Sequence, residues 1–244
     1  MRTRSAPSAT KSIQIIQNSC KNSNIQLVFL DNCSAFDKLG LKPLLDILKC
    51  MDFPNLYIEW IKNLSENGKA FTFINNIYSE IFKILSATPQ GSPMSSTLYA
   101  VAHNIMQKLY AKINYSWQLH INNIKIGLLS FADDSGTAIN IKKKEDLEAF
   151  FNFFHQFKDI LGLSLNVSKT EFILYGDNKN QVSQWINELK CGKVSNEVRH
   201  LGIYINIEPH KTVTSTFVKI KEKMNNYVKF FIERQFFRIQ LIMV

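Results

Sequence analysis

Two segments of this 244-residue chain place carboxylates where an apolar run ends: Phe29-Leu30-Asp31, and Ser130-Phe131-Ala132-Asp133-Asp134. Like charges held side by side repel, and the cost grows as water is removed. Asp133 and Asp134 make chemical sense if a divalent cation neutralises them. Magnesium takes hard oxygen ligands, usually one or two carboxylates together with phosphate oxygens. Two such ions roughly 4 Å apart can clamp the attacking and leaving oxygens of a phosphoryl transfer. The protein then supplies position and charge rather than covalent chemistry. An Asp-Asp pair is also ordinary chemistry for a solvated turn, and aspartate often ends strands. These residues alone leave both readings open.

The elements that must hold them can be read from periodicity. Ile25 to Leu30, bounded by Asn and Asp, reads as a buried strand ending in Asp31. Leu41, Leu44, Leu45 and Leu48 recur at helical spacing, with Pro43 near the start where a helix tolerates it. A second helix is expected over Leu56 to Leu64. Lys69 to Ile74 and Ser79 to Leu85 suggest a hairpin around Asn75-Asn76. Ser92-Pro93 reads as a helix start, with Ser92 as cap and Leu98, Val101, Ile105 and Leu109 as its apolar stripe. Lys125 to Phe131 and Gly136 to Ile141 are strand-like around a tight turn at Ala132-Asp133-Asp134-Ser135.

The clearest helix runs from about Glu145 to Leu161, with Leu147, Phe150, Phe151, Phe154, Phe157 and Leu161 on one face and Gly162 as its stop. Short strands follow at Glu171 to Tyr175 and Leu201 to Ile205. A last amphipathic helix carries Phe217, Ile220, Met224, Tyr227 and Phe231 on one face, and Lys219, Lys221, Lys223, Lys229 and Arg234 on the other. This order predicts an α+β fold: one antiparallel sheet with helices packed on one face.

An apolar content of 45% and an aromatic content of 12% are enough to build a core, which excludes a disordered chain. The net charge of +9 favours a polyanionic partner, either nucleic acid or an anionic membrane surface. No apolar stretch is long enough to cross a bilayer, and Met1 to Lys11 is no secretory signal. Nucleic acid is thus preferred over membrane. Cys20, Cys33, Cys50 and Cys191 form no Cys-x-x-Cys pair, so a zinc site is not expected, and all four read as intracellular thiols. An intracellular location is expected, with nucleus and cytoplasm both open.

Read in order, these segments resemble the motifs of the reverse-transcriptase palm, especially that of non-LTR retrotransposons. Leu30-Asp31-Asn32-Cys33-Ser34-Ala35-Phe36-Asp37 resembles the first palm motif. The resemblance implies that Asp31 binds both metals, that the backbone carbonyl of Asn32 is a further ligand, and that Phe36 is a steric gate against a 2′-hydroxyl. Pro89-Gln90-Gly91-Ser92-Pro93 resembles the second motif, which implies contacts from Gln90 and Gly91 to the nucleotide and the template base. A glycine permits close backbone approach and a helix N-terminus favours phosphate.

Phe131-Ala132-Asp133-Asp134 is similar to the metal-binding hairpin. Gly162-Leu163-Ser164-Leu165-Asn166 with Lys169-Thr170 is similar to the next segment. It implies that Lys169 lies near the triphosphate, although a solvated lysine at a strand edge is an equal reading. Arg199-His200-Leu201-Gly202-Ile203 resembles the primer-grip hairpin, with Leu201 and Gly202 at its centre. The basic helix after residue 212 resembles the start of a thumb, tracking phosphates without reading sequence.

What the resemblance implies is an RNA-directed DNA polymerase of mobile-element origin, adding dNTPs to a primer by two-metal phosphoryl transfer. Its cofactor would be two Mg2+ ions, with Mn2+ as a substitute. Its partners would be an RNA template, a DNA primer or hybrid duplex, and dNTPs, with no membrane. The expected division is a remnant of fingers over 1–24, a palm over 25–206, and the start of a helical thumb over 207–244. Some positions depart from the family pattern: Ala87 stands where Gly is common, and Ser96-Thr97 replaces Pro-Leu. A catalytically inactive fragment that only binds nucleic acid is the alternative, supported by the short fingers region. A different palm-type enzyme ranks last, because Phe36 argues against an RNA product and Pro89-Gln90-Gly91 against a cyclase.

Overall fold

The computed structural model describes residues 24–32, 38–66, 68–83, 92–121, 123–131 and 134–242; of these, the side chains of residues 131 and 231–242 are not described. In chain order the elements are β1 (Gln26–Asp31), α1 (Leu41–Cys50), α2 (Asn55–Glu66), β2 (Lys69–Ala70), β3 (Phe73–Ile74), β4 (Ile77–Tyr78) and β5 (Phe82–Lys83). Then come α3 (Ser95–Lys112), β6 (His120–Ile121), β7 (Ile124–Lys125), β8 (Leu129–Phe131), β9 (Asp134–Ile139) and α4 (Lys144–Leu161). The chain continues with β10 (Glu171–Leu174), α5 (Lys179–Leu189), β11 (Lys193–Val194), β12 (Glu197–His200), β13 (Ile203–Asn206) and α6 (Pro209–Ile242).

The fold is α+β, built on a five-stranded sheet in the order β11-β10-β1-β9-β8. Its pairings are antiparallel except the short parallel contact of β10 with β11. The centre strand, β1, is buried along both faces from Gln26 to Leu30, which is why its sequence is a near-continuous apolar run. Strand alternation then divides its residues. Val28 and Leu30 face a core made with α1 to α5, whereas Leu27 and Phe29 face a second cluster containing Val198 and Ile205 of the β12–β13 hairpin.

Most of the helical core comes from α4, whose Phe150, Phe151, Phe153, Phe154 and Phe157 are all buried. Its rings meet one another and the rest of the core edge-on or tilted, with Phe150 at 5.1 Å from both Trp117 and Phe154, an arrangement that aromatic quadrupoles favour. Gly162 ends the helix at φ 79°, and a Cβ there would meet the Lys38 carbonyl at 2.2 Å, so only glycine fits.

Five local expectations are corrected. The helix after Pro93 begins at Ser95, with Met94 rather than Ser92 at the cap. Its buried stripe is Leu98, Tyr99, Ala102, Met106 and Tyr110, while Leu109 is exposed. The aromatic hydroxyls have partners inside, so Tyr99 and Tyr110 outcompete the aliphatic residues for the buried face. Asp134 and Ser135 belong to β9 rather than to a turn. Leu201 does not start a strand: with Gly202 it forms the two-residue turn between β12 and β13. Finally, α5 and β11 occupy a stretch where no element was expected. Among the described residues no helix is long and apolar enough to cross a membrane.

Candidate active site at the end of the central sheet

The register of β1 on β9 places Asp31 directly opposite Asp134. Directly opposed residues of an antiparallel pair share a face, with Cα atoms about 4.5–5.5 Å apart. Parity puts this pair on the side of Leu27, Phe29 and Ala138, the side covered by the β12–β13 hairpin. Two acidic residues are thereby brought to one edge by pairing of segments about a hundred residues apart. Glu171 lies on the same side, opposite Phe29 on β10. It is paired with Lys193 at 3.1 Å and accepts a hydrogen bond from Ser195 Oγ at 3.0 Å.

The end of β1 is held by the segment that follows α4. The Asn166 N–H donates to the Asp31 carbonyl at 2.7 Å, and Asn32 bridges Leu165. A single 3-10 turn, Val167–Lys169, then brings the Lys169 ammonium to 3.4 Å from Asp31 Oδ2. The Lys169 side chain is 66% exposed and that of Asp31 23%.

Beneath these residues, on the helix side, lies a polar layer that sequence reasoning missed. Asn32 is buried and donates from Nδ2 to Tyr99 Oη at 3.3 Å. Ser130 and Ser135, cross-strand partners of β8 and β9, share a hydrogen bond at 2.8 Å, and Ser135 Oγ is 3.4 Å from His103 Nε2. Tyr110 Oη meets Thr137 Oγ1 at 2.9 Å. Burial pushes the His103 imidazole down to about 4 and the Tyr110 hydroxyl upward. One face of α3 thus satisfies the strands that carry the aspartates. The available signal was the spacing of Tyr99, His103, Met106 and Tyr110 at three and four residues.

On the opposite side the hairpin closes over the sheet. His200 is 4% exposed, and its ring centroid is 5.2 Å from that of Phe29. Burial holds it neutral, pushed down to about 4. The turn beyond it has Leu201 at φ 50° and Gly202 at φ 82°. A left-handed backbone is free for glycine but costs a bulky residue roughly 1–2 kcal/mol. The hairpin is fixed to α6 through Thr216 Oγ1 and Thr212 Oγ1, which accept from the N–H groups of Tyr204 and Asn206 at 2.9 and 3.1 Å. Lys219 of α6 pairs with Glu197 and lies over the Tyr204 ring.

Of the residues singled out from sequence, Asp31, Asn32, Asp134 and Lys169 thus meet at one end of the sheet. Leu201 and Gly202 form the tip of the hairpin on the same side of it. Phe36, Gln90, Gly91 and Asp133 lie outside the described residues. Among the described residues no group of three His, Cys, Asp or Glu side chains is placed to hold a metal.

The family model for reverse transcriptase (RNA-dependent DNA polymerase) matches residues 3–205. The chain belongs to the reverse transcriptase family. A curated relative of this reverse transcriptase domain is the retrovirus-related Pol polyprotein from type-2 retrotransposable element R2DM of Drosophila melanogaster. The two are 25% identical over 140 residues, spanning 57% of this chain but 13% of the relative. Similar solved structures are telomerases of Candida tropicalis. One, in complex with a fragment of telomeric RNA, has a TM-score of 0.61 at 15% identity and covers 84% of this chain and 32% of its own. An apo form truncated from its C-terminal domain has a TM-score of 0.54 at 14% identity, over 83% and 38%. At such identities the likeness speaks for the fold alone. The reverse transcriptase domain described here is therefore a small share of the proteins that it resembles.

Proposed function

We propose that this chain is the palm of an RNA-directed DNA polymerase that adds dNTPs to a primer on an RNA template. The observation that carries the reading is the register of β1 on β9, which sets Asp31 against Asp134 on the face covered by the hairpin. Opposed carboxylates are unfavourable in a sheet, and their hard oxygen donors suit Mg2+, with Mn2+ as a substitute. Asp133, next in sequence to Asp134, completes the set in this reading. When bound, the metal pair would neutralise the charge that develops on the attacking and leaving oxygens.

The chain's own residues do the positioning. Asp31 and Asp134 present carboxylates from rigid strand ends, and Asn32 contributes its backbone carbonyl. Lys169 offers a cation to the triphosphate. Gln90 and Gly91 contact the nucleotide and template base, and Phe36 excludes a 2′-hydroxyl. Leu201 and Gly202 hold the primer end; the strained turn at Leu201 supports this, since unfavourable backbone concentrates at working sites. In this reading 1–24 belongs to the fingers and 25–206 is the palm. Residues 207–244 begin a thumb, whose lysines track phosphates.

The test is primer extension on poly(rA) with oligo(dT), dTTP and magnesium, run beside Asp133→Ala. Extension that vanishes in the variant is the expected result. Extension that persists would put the metal site elsewhere. A wild-type chain that binds the hybrid in a salt-sensitive way but does not extend it would be a nucleic-acid binder instead.

A further inference from the structure

We propose that Lys169 is a built-in counter-cation, neutralising Asp31 at rest and giving way when a divalent cation loads. The proposal rests on the polymerase reading of Asp31 and Asp134 given above. Two carboxylates directly opposite each other repel, and Asp31 and Asp134 are so placed by the register of β1 on β9. The Lys169 ammonium, 3.4 Å from Asp31 Oδ2, supplies positive charge at that point.

The lysine's backbone is tied to the strand it serves. Lys169 N–H donates to the Asn166 carbonyl at 3.0 Å, and Asn166 N–H donates to the Asp31 carbonyl at 2.7 Å. Its side chain, by contrast, is two-thirds exposed. The ammonium can therefore be displaced without moving the chain that carries it, because an exposed pair contributes little and its long stem has rotamers to spare. A cation arriving at Asp31 must compete with it. The freed ammonium then becomes available to a polyphosphate beside the same carboxylate, so metal loading precedes engagement of Lys169 with the triphosphate.

A second pair on this face serves as an internal control. Lys193 pairs with Glu171 at 3.1 Å, one strand over, and Glu171 stands opposite Phe29 rather than Asp31. Removing Lys193 deletes the same charge from the same side of the sheet without freeing Asp31.

The experiment titrates Mn2+ into the purified chain, without nucleotide or nucleic acid, and reads free Mn2+ by electron paramagnetic resonance. Lys169→Gln is expected to tighten Mn2+ binding about three- to fivefold, the range that an exposed ion pair supports. Lys169→Arg should stay near wild type, and Lys193→Gln should change little. Asp31→Asn should weaken binding about tenfold or more, since it removes a hard oxygen ligand. Unchanged or weaker binding in Lys169→Gln, or equal tightening in Lys193→Gln, overturns the counter-cation role while leaving the metal site in place. If Asp31→Asn binds Mn2+ as wild type does, the metal reading of Asp31 fails and this proposal fails with it.

Discussion

The two faces of the central sheet handle polarity in different ways. On the helix side, Val28 and Leu30 share a core with the phenylalanines of α4, and polar groups of the strands there pair with protein groups: Asn32 with Tyr99, Ser130 with Ser135, Thr137 with Tyr110. On the hairpin side, the same strand carries Leu27 and Phe29 beneath Val198 and Ile205, then runs out of cover at Asp31. One face buries its polar side chains among protein groups, while the other leaves charge where the core ends. Substitutions on the closed face should therefore be felt as stability, and those on the open edge as chemistry.

The sharpest way to break this comparison is Asp31→Asn or Asp134→Asn. Each should lower primer extension about a hundred- to a thousandfold, the scale of losing a transition-state charge partner. The thermal midpoint should change little, because relief of the opposed like charges is set against loss of partners such as Lys169, whose exposed pair contributes little. A variant that unfolds instead would place these aspartates among the structural residues.

Phe150→Ala is the counterpart on the closed face. Burial among Trp117, Phe151 and Phe154 predicts a loss of about 3–5 kcal/mol in urea unfolding, with activity falling only as the folded fraction falls. Acid should sharpen the contrast on both faces. His103 and His200 are neutral in the fold, held down to about 4 by burial, against an ordinary value near 6.5. Because the unfolded chain takes up protons first, their stability is fully present above pH 6.5 and is lost as pH falls towards 4. Each histidine forfeits on the order of 2–3 kcal/mol by then. His103→Gln should flatten the pH dependence of urea midpoints over this window by about half. The smallest effect is expected for Tyr110→Phe, which leaves the ring but removes the hydroxyl on Thr137. It should cost about 1 kcal/mol and leave extension by the folded fraction unchanged.

How far the sequence was legible depends on how local each cause was. The α4 helix was plain because five phenylalanines, a periodic stripe and a stopping glycine agree over eighteen residues. The Asn75-Asn76 turn was plain because asparagine tolerates the left-handed backbone found there, at φ 51° and 63°. By contrast, α5 is short and polar, with Val182 and Ile186 buried and a lysine rather than a glycine ending it, so its local signal was weak. The face of α3 was misread because its register answers to partners elsewhere in the chain: Asn32 for Tyr99 and Thr137 for Tyr110.

The site divides in the same way. Residue types and spacing marked Asp31, Asp133 and Asp134 as candidates, because carboxylates at strand ends are a property of the chain itself, while Lys169 came in only through the resemblance of the ordered motifs. That Asp31 faces Asp134, that Lys169 reaches Asp31, and that His200 lies over Phe29 could come only from the tertiary structure. These contacts join residues up to about 170 positions apart. Strand register and the packing of the hairpin fix them, and no local preference of the chain encodes either.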